Sequence, residues 1–213
     1  MDEKCNGLIL RLVPFRDTSL IIHWLTSGHG RLVTMAKGAK RPKSPFRGRL
    51  DLLFEVDFTF RRSRSSDMHT LIEAVPTNMH REVRRDIANL RLLAYATRFI
   101  EQTTEPENSL LGIHAILTTL LDHLAQFKTR PALVYALEMK LLNELGLAPA
   151  LNESRLDDLT IDLLEQLSIH DWEGISELRP AKQHIWAMKN FLHEFLIHHL
   201  GKLPKGRAAL LGS

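Results

Sequence analysis

The 213-residue chain contains one cysteine, Cys5, so it can form neither an internal disulfide nor a cysteine-rich metal cluster. A lone thiol suits a reducing compartment. No apolar run approaches the roughly 18 residues of a membrane span. The polar, acidic start Met1-Asp2-Glu3-Lys4 lacks the basic-then-apolar pattern of a signal peptide. A cytoplasmic protein with no membrane partner is expected. The usual motifs of enzyme chemistry are missing too: GxxxxGK(S/T), GxGxxG and GxSxG do not occur. His193, Glu194, His198 and His199 come close to a zinc-protease helix, but that chemistry needs histidines at i and i+4, and Ile197 stands at i+4 from His193. His198 is one residue further, about 140° around the helix. His23, His29, His69, His80, His114, His123, His170 and His184 show no ligand spacing. Asp157 and Asp158 are tied to no base and read as a solvated helix start. The expectation is a chain with no catalytic residues, no metal and no cofactor, and so not an enzyme.

What is present is an uneven distribution of charge. The formal net charge is only +3, but residues 1–80 carry 13 Lys and Arg against 8 Asp and Glu, and residues 81–213 carry 15 against 17. The basic character belongs to the first part of the chain, which points to a polyanionic partner there.

Hydrophobic periodicity divides the chain at the same place. Leu8, Leu10 and Leu12 alternate with Ile9, Arg11 and Val13; Leu20, Ile22 and Trp24 alternate with Ile21, His23 and Leu25; Phe54, Val56, Phe58 and Phe60 alternate with Glu55, Asp57 and Thr59. A period of two with one apolar face marks half-buried strands. Further strands fit Arg31–Ala36 and Thr70–Val75, with turns at Pro14-Phe15-Arg16-Asp17 and Ser27-Gly28-His29-Gly30. Five short strands in so few residues predict a small closed barrel, which leaves no exposed edge. Beyond Pro76 the spacing becomes helical: Val83, Ile87, Leu90, Ala94 and Thr97, then Leu110, Ile113, Leu117, Leu120, Leu121 and Leu124. Thr129 is the expected cap of a third helix, with Pro131 in its first turn and Gly146 after its end. Two short helices are expected around Asp162–Gln166 and Asp171–Glu177, and a long one from Pro180 to Leu200. The reading is a two-domain α+β chain: a five-stranded barrel over residues 1–79 and an all-α domain over residues 80–213.

The densest local feature is the run from Arg31 to Arg49, with Arg31, Lys37, Lys40, Arg41, Lys43, Arg47 and Arg49 and no acidic residue. Gly38, Pro42, Pro45 and Gly48 break regular structure there, so most of these charges sit on a loop between strands. A second cluster, Arg61, Arg62 and Arg64, follows the fourth strand. Two basic loops flanking one face of a barrel form a groove that tracks a phosphate backbone. Phe46, inside the basic loop, is the candidate base-stacking ring; Trp24 follows the core alternation and is expected inside. Two other functions fit the same residues. The loop can dock an acidic protein, making the chain an adaptor, or the His193–His199 region can serve a metal-dependent hydrolase. A DNA shift assay across a salt series separates the first from DNA binding, and metal analysis decides the second.

The residues of the basic loop, Ala36-Lys37-Gly38-Ala39-Lys40-Arg41-Pro42-Lys43-Ser44 and Arg47-Gly48-Arg49-Leu50, resemble the RecO family of DNA recombination and repair proteins. So do Val13-Pro14-Phe15-Arg16-Asp17-Thr18-Ser19-Leu20, Gly28-His29-Gly30-Arg31, Thr70-Leu71-Ile72-Glu73-Ala74, Glu144-Leu145-Gly146-Leu147 and the ending His199-Leu200-Gly201-Lys202 with Lys205 and Arg207. The resemblance implies an OB-fold followed by a helical domain. It implies binding to single- and double-stranded DNA and annealing of complementary strands coated with single-strand-binding protein. It also implies help in loading RecA together with RecR and, in some settings, RecF, a nucleoid-associated location, and capture of the acidic, apolar tail of single-strand-binding protein. Arg91, Arg98 and Arg130 are the candidates for that tail. Many members carry a four-cysteine zinc site after the segment matching Leu147; this chain has no cysteine there and resembles a zinc-free, shortened variant.

Overall fold

The computed structural model describes residues 2–212. They form two compact units: the chain up to Arg81 together with Thr104–Ala115, and Glu82–Thr103 together with the chain from Ile116 onward. The first unit is a closed barrel of β1 (Asp2–Phe15), β2 (Ser19–Thr26), β3 (Gly30–Ala36), β4 (Glu55–Arg61) and β5 (Met68–Asn78), in the order β1-β2-β3-β5-β4. Every pairing is antiparallel except β3 with β5. This is the expected OB-like barrel.

β1 closes the barrel by serving two neighbours. Its first half pairs with β4 and its second half with β2. The strands cross over at Gly7, where an added Cβ would meet Thr26 Cγ2 at 3.0 Å and Leu25 O at 3.1 Å and would push its neighbours aside; glycine allows this close approach of three strands. A register shift between Ile9 and Arg11 follows. That shift corrects the simple alternation expected for β1. Ile9, rather than Leu8 or Leu10, packs in the barrel core, and Leu12 borders it on the far side of the irregularity; Leu8 and Leu10 are buried but outside that cluster. In β2 and β4 the expected faces hold: Ile22, Trp24, Val56, Phe58 and Phe60 are all in the core. Trp24 stacks on Phe58 with ring centroids 4.0 Å apart, and its indole N–H donates to Thr34 Oγ1 at 2.8 Å. That bond satisfies the one polar atom such a ring brings inside.

Among the described residues the helices are α1 (Ile87–Thr103), α2 (Leu111–Leu124), α3 (Pro131–Glu144), α4 (Asp158–Ile169), α5 (Trp172–Glu177), α6 (Lys182–Leu200) and α7 (Arg207–Leu211), with 3-10 turns at Val83–Arg85 and Leu151–Glu153. None is long and apolar enough to cross a membrane. α3 is buried along nearly its whole length, as its apolar sequence demands, and α1, α4, α5, α6 and α7 pack against it. Pro131 starts it and Gly146, at φ +69°, follows its end. Its cap is Arg130, whose side chain makes no capping bond to the helix, not the expected Thr129, whose hydroxyl instead donates to Asn89 Oδ1 at 2.6 Å. Glu138, on this buried helix, accepts Arg207 Nε at 2.7 Å, Arg207 Nη2 at 3.0 Å and the Tyr95 hydroxyl at 2.6 Å. These bonds anchor the α7 segment in the helical unit's core.

Candidate nucleic-acid interface

The β3–β4 connection, residues 37–54, is a succession of tight turns. The backbone N–H of Arg41, Ser44, Arg47 and Arg49 donates to the carbonyl three residues earlier in each case, at 3.0–3.2 Å. Lys40 N donates to Thr18 O at 2.8 Å, tying the loop to the β1–β2 turn. Gly38 and Gly48 take φ of +68° and +71°, where a side chain would strain the backbone. The loop is held from below as well, because Ala39, Phe46 and Phe54 sink into the barrel core. Polar and charged residues are left outside. Phe46 is only 7% exposed. It is a core anchor rather than the projecting ring expected for base stacking, since burying an aromatic ring is what pins an otherwise polar loop.

This anchoring leaves Lys37, Lys40, Arg41, Lys43, Arg47 and Arg49 exposed. Among the described residues no hydrogen bond or ion pair engages the side chains of Lys37, Lys40, Arg41 or Lys43. Arg47 reaches Pro42 O at 3.2 Å and Arg49 reaches Ala74 O at 3.1 Å. Those carbonyls orient the guanidinium groups without neutralising them. Arg16, exposed on the adjoining β1–β2 turn, adds a cation that the linear run did not include. The Leu20–Ala36 pairing brings that turn beside the loop.

Arg31 does not belong to this cluster. It lies at the opposite end of β3, roughly 20 Å away at about 3.3 Å per residue. There its guanidinium donates to Thr104 O, and its own carbonyl accepts Glu107 N at 2.9 Å. The segment after α1 passes so close to β3 that Gly30, at φ +64°, has Asn108 O where a Cβ would stand.

The second basic cluster is also at that end, and carboxylates hold most of it. Arg61 pairs with both oxygens of Asp2 at 2.8 and 3.1 Å. Arg62 pairs with Glu3 at 2.8 and 3.2 Å and with Glu107 at 2.7 Å. The Arg61 and Arg62 bonds lower the pKa values of Asp2 and Glu3. Partial burial works against ionisation of Glu107, but Arg62 and His69 outweigh it and its pKa is lowered too. Arg61 and Arg64 are exposed, and among the described residues Arg64 has no carboxylate partner. The two basic loops therefore stand at opposite ends of β4 and do not flank one groove. The neutralising acids lie 59 and 45 residues from the arginines they meet, which a local reading of charge cannot detect.

In the helical unit, Arg91 and Arg98 are separate from Arg130. Arg98 donates to Lys205 O at 3.1 Å, and Arg91 is exposed on α1. Arg130 lies beside an apolar pocket of about 230 Å³ between the start of α3, α4 and the α5–α6 link, lined by Tyr135, Leu163, Leu167, Leu178, Ile185 and Met188. Arg179, which the sequence did not single out, lines the same pocket, and both guanidinium groups donate to Ser176 O, at 3.1 and 2.7 Å. His193 and His198 are exposed on α6, and His199 stacks on Phe195. Among the described residues no three His, Cys, Asp or Glu side chains are placed to hold a metal ion. A four-cysteine zinc site does not fit this chain, whose one cysteine lies in β1.

Comparison with known proteins agrees with this architecture. A family model described as the N terminal of recombination protein O matches residues 1–80, and one described as its C terminal matches residues 84–155. The DNA repair protein RecO of Bacillus subtilis is 27% identical over 154 residues, covering 71% of this chain and 59% of that protein. The RecO of Exiguobacterium sibiricum is 30% identical over 155 residues, 71% of this chain and 60% of its own length. That of Salinibacter ruber is 25% identical over 160 residues, 75% and 62%. The chain thus spans about three fifths of the length of these relatives.

Proposed function

Since the chain belongs to the RecO family, we propose that its barrel holds DNA by the phosphates through the Lys37–Arg49 loop, and that it serves DNA repair as a mediator without a covalent step. The carrying observation is an acid-free loop, Lys37–Arg49, pinned by turn hydrogen bonds and core residues, whose exposed lysines and arginines have no carboxylate partner among the described residues. Two strands repel through their phosphates; a fixed cationic surface lowers that repulsion and concentrates strands, and base pairing then drives annealing. Lys37, Lys40, Arg41, Lys43, Arg47 and Arg49 take the phosphates, on single or double strands. Arg31, Arg61 and Arg62 contribute less, being engaged at the other end of the barrel, and Arg64 contributes as an outlying charge.

The helical pocket completes this reading. An acidic, apolar peptide tail needs a hydrophobic slot beside guanidinium groups, and the pocket between Arg130 and Arg179 has that composition. It is proposed to take the tail of single-strand-binding protein, which would bring coated strands to the barrel and pass them towards RecA with RecR and RecF.

The test is fluorescence anisotropy with a short single strand across a salt series. Log affinity should fall with log salt by about 0.7 per contacted phosphate. Reversing Lys37, Lys40 and Arg41 to glutamate should flatten the slope by about 2 and abolish annealing. An unchanged slope in that variant sinks the assignment.

A further inference from the structure

One feature of the basic loop is not explained by phosphate binding alone. Between the start of β2 and the loop lies an open depression of about 480 Å³, lined by Leu20, Ala39, Phe46 and Leu50 with Lys40, Arg41 and Arg47 around them. Phosphate contact needs no apolar floor. The size falls within the range of small-molecule sites, and the composition, an apolar base under three cations, matches one nucleotide rather than a bare anion. No acidic residue lines the depression, so nothing there opposes a phosphate. The floor is held in place by the barrel core, into which Ala39 and Phe46 are packed. The rim is held by the turn bonds of Arg41 and Arg47. Arg41 lies against Gly38, whose added Cβ would meet Arg41 Cδ at 3.3 Å.

We infer that this depression receives one unpaired base of a single DNA strand, with the flanking phosphates on Lys40, Arg41 and Arg47. The inference rests on the DNA-binding reading above and adds to it a contact to the base. It also supplies a strand preference. A base in a duplex must be unstacked and unpaired before it can enter, which costs a few kcal/mol, whereas a base in a single strand is already available. The barrel therefore grips single strands more tightly than duplex of equal length and releases the base as it pairs, which suits an annealing protein.

Anisotropy with three probes tests this: a 15-residue oligothymidine, the same backbone with abasic sites throughout, and a 15-base-pair duplex. The wild-type protein should bind the base-bearing strand roughly tenfold tighter than the abasic one, the usual scale of one base contact. Leu50→Ala and Leu20→Ala should each shrink that preference while leaving abasic affinity unchanged, which also reports that the barrel is folded. Equal wild-type affinity for the first two probes overturns the base site and leaves phosphate binding standing. A base preference that survives both substitutions overturns its location. Failure to bind any probe overturns the DNA-binding reading itself.

Discussion

In the helical unit, Arg207 is 3% exposed and spends its guanidinium on Glu138, itself fully buried and also bonded to Tyr95. In the barrel, Lys37, Lys40, Arg41 and Lys43 lie exposed, with no carboxylate within reach among the described residues. Arg61 and Arg62 fall between these extremes: near the surface, but paired with Asp2, Glu3 and Glu107. The same side-chain chemistry thus serves three ends. A buried, paired cation organises a core, a surface pair closes one end of the barrel, and an unpaired cation on a pinned loop remains available to an outside anion. Burial raises the cost of leaving a charge alone, so the buried cation must have its partner within the fold. The exposed ones, hydrated by water, need none.

The comparison is broken most severely at Arg207. Arg207→Ala leaves Glu138 buried without its counter-ion and should destabilise the helical unit by about 3–5 kcal/mol, read from denaturant unfolding. A loss below about 1 kcal/mol would mean that Glu138 is rescued by water or protonation. Acid should act next, and on the barrel. Glu3 and Glu107 are more acidic in the folded barrel than their ordinary value of 4.5. The stability they contribute is therefore present above that value and is lost as the pH falls through their lowered folded pKa values. Melting temperature measured from pH 7 down to pH 3 should drop below pH 4.5, and the drop should be shallower in a Glu3→Gln, Glu107→Gln double variant. A double variant that follows the wild-type curve would assign the loss to other carboxyls. The smallest effect belongs to a surface contact in the helical unit. Asp157 caps α4 by accepting from Thr160 N at 3.0 Å; Asp157→Ala should cost about 1 kcal/mol, and Asp157→Ser should recover most of it in the same unfolding measurement.

Much of the frame was legible along the chain. Alternation placed Ile22, Trp24, Val56, Phe58 and Phe60 on the core side of β2 and β4, because a strand's two faces repeat every second residue and nothing outside the strand is needed to see it. Pro131 and Gly146 marked the limits of α3 for an equally local reason. β1 was read less well: it turns from one neighbour to another, and the irregularity between Ile9 and Arg11 shifts its register where no single alternation applies. Phe46 was misjudged because its neighbours, Pro45 and Arg47, are loop residues, and only barrel closure shows that its ring fills the core. Arg179 went unnoticed because its partner at the pocket, Arg130, lies on another element.

By itself, then, the sequence determined where strands give way to helices, which residues of β2 and β4 face inward, and that one acid-free stretch carries unusual positive charge. These properties depend on neighbours within a turn or a strand. Tertiary structure alone decided which of those charges remain available. Arg31 and Arg62 share a basic patch with Lys40 in composition only. Folding carries them to the far end of the barrel and brings Glu3 and Glu107 to Arg62, because ion pairing depends on distance in space and falls away within a few ångströms.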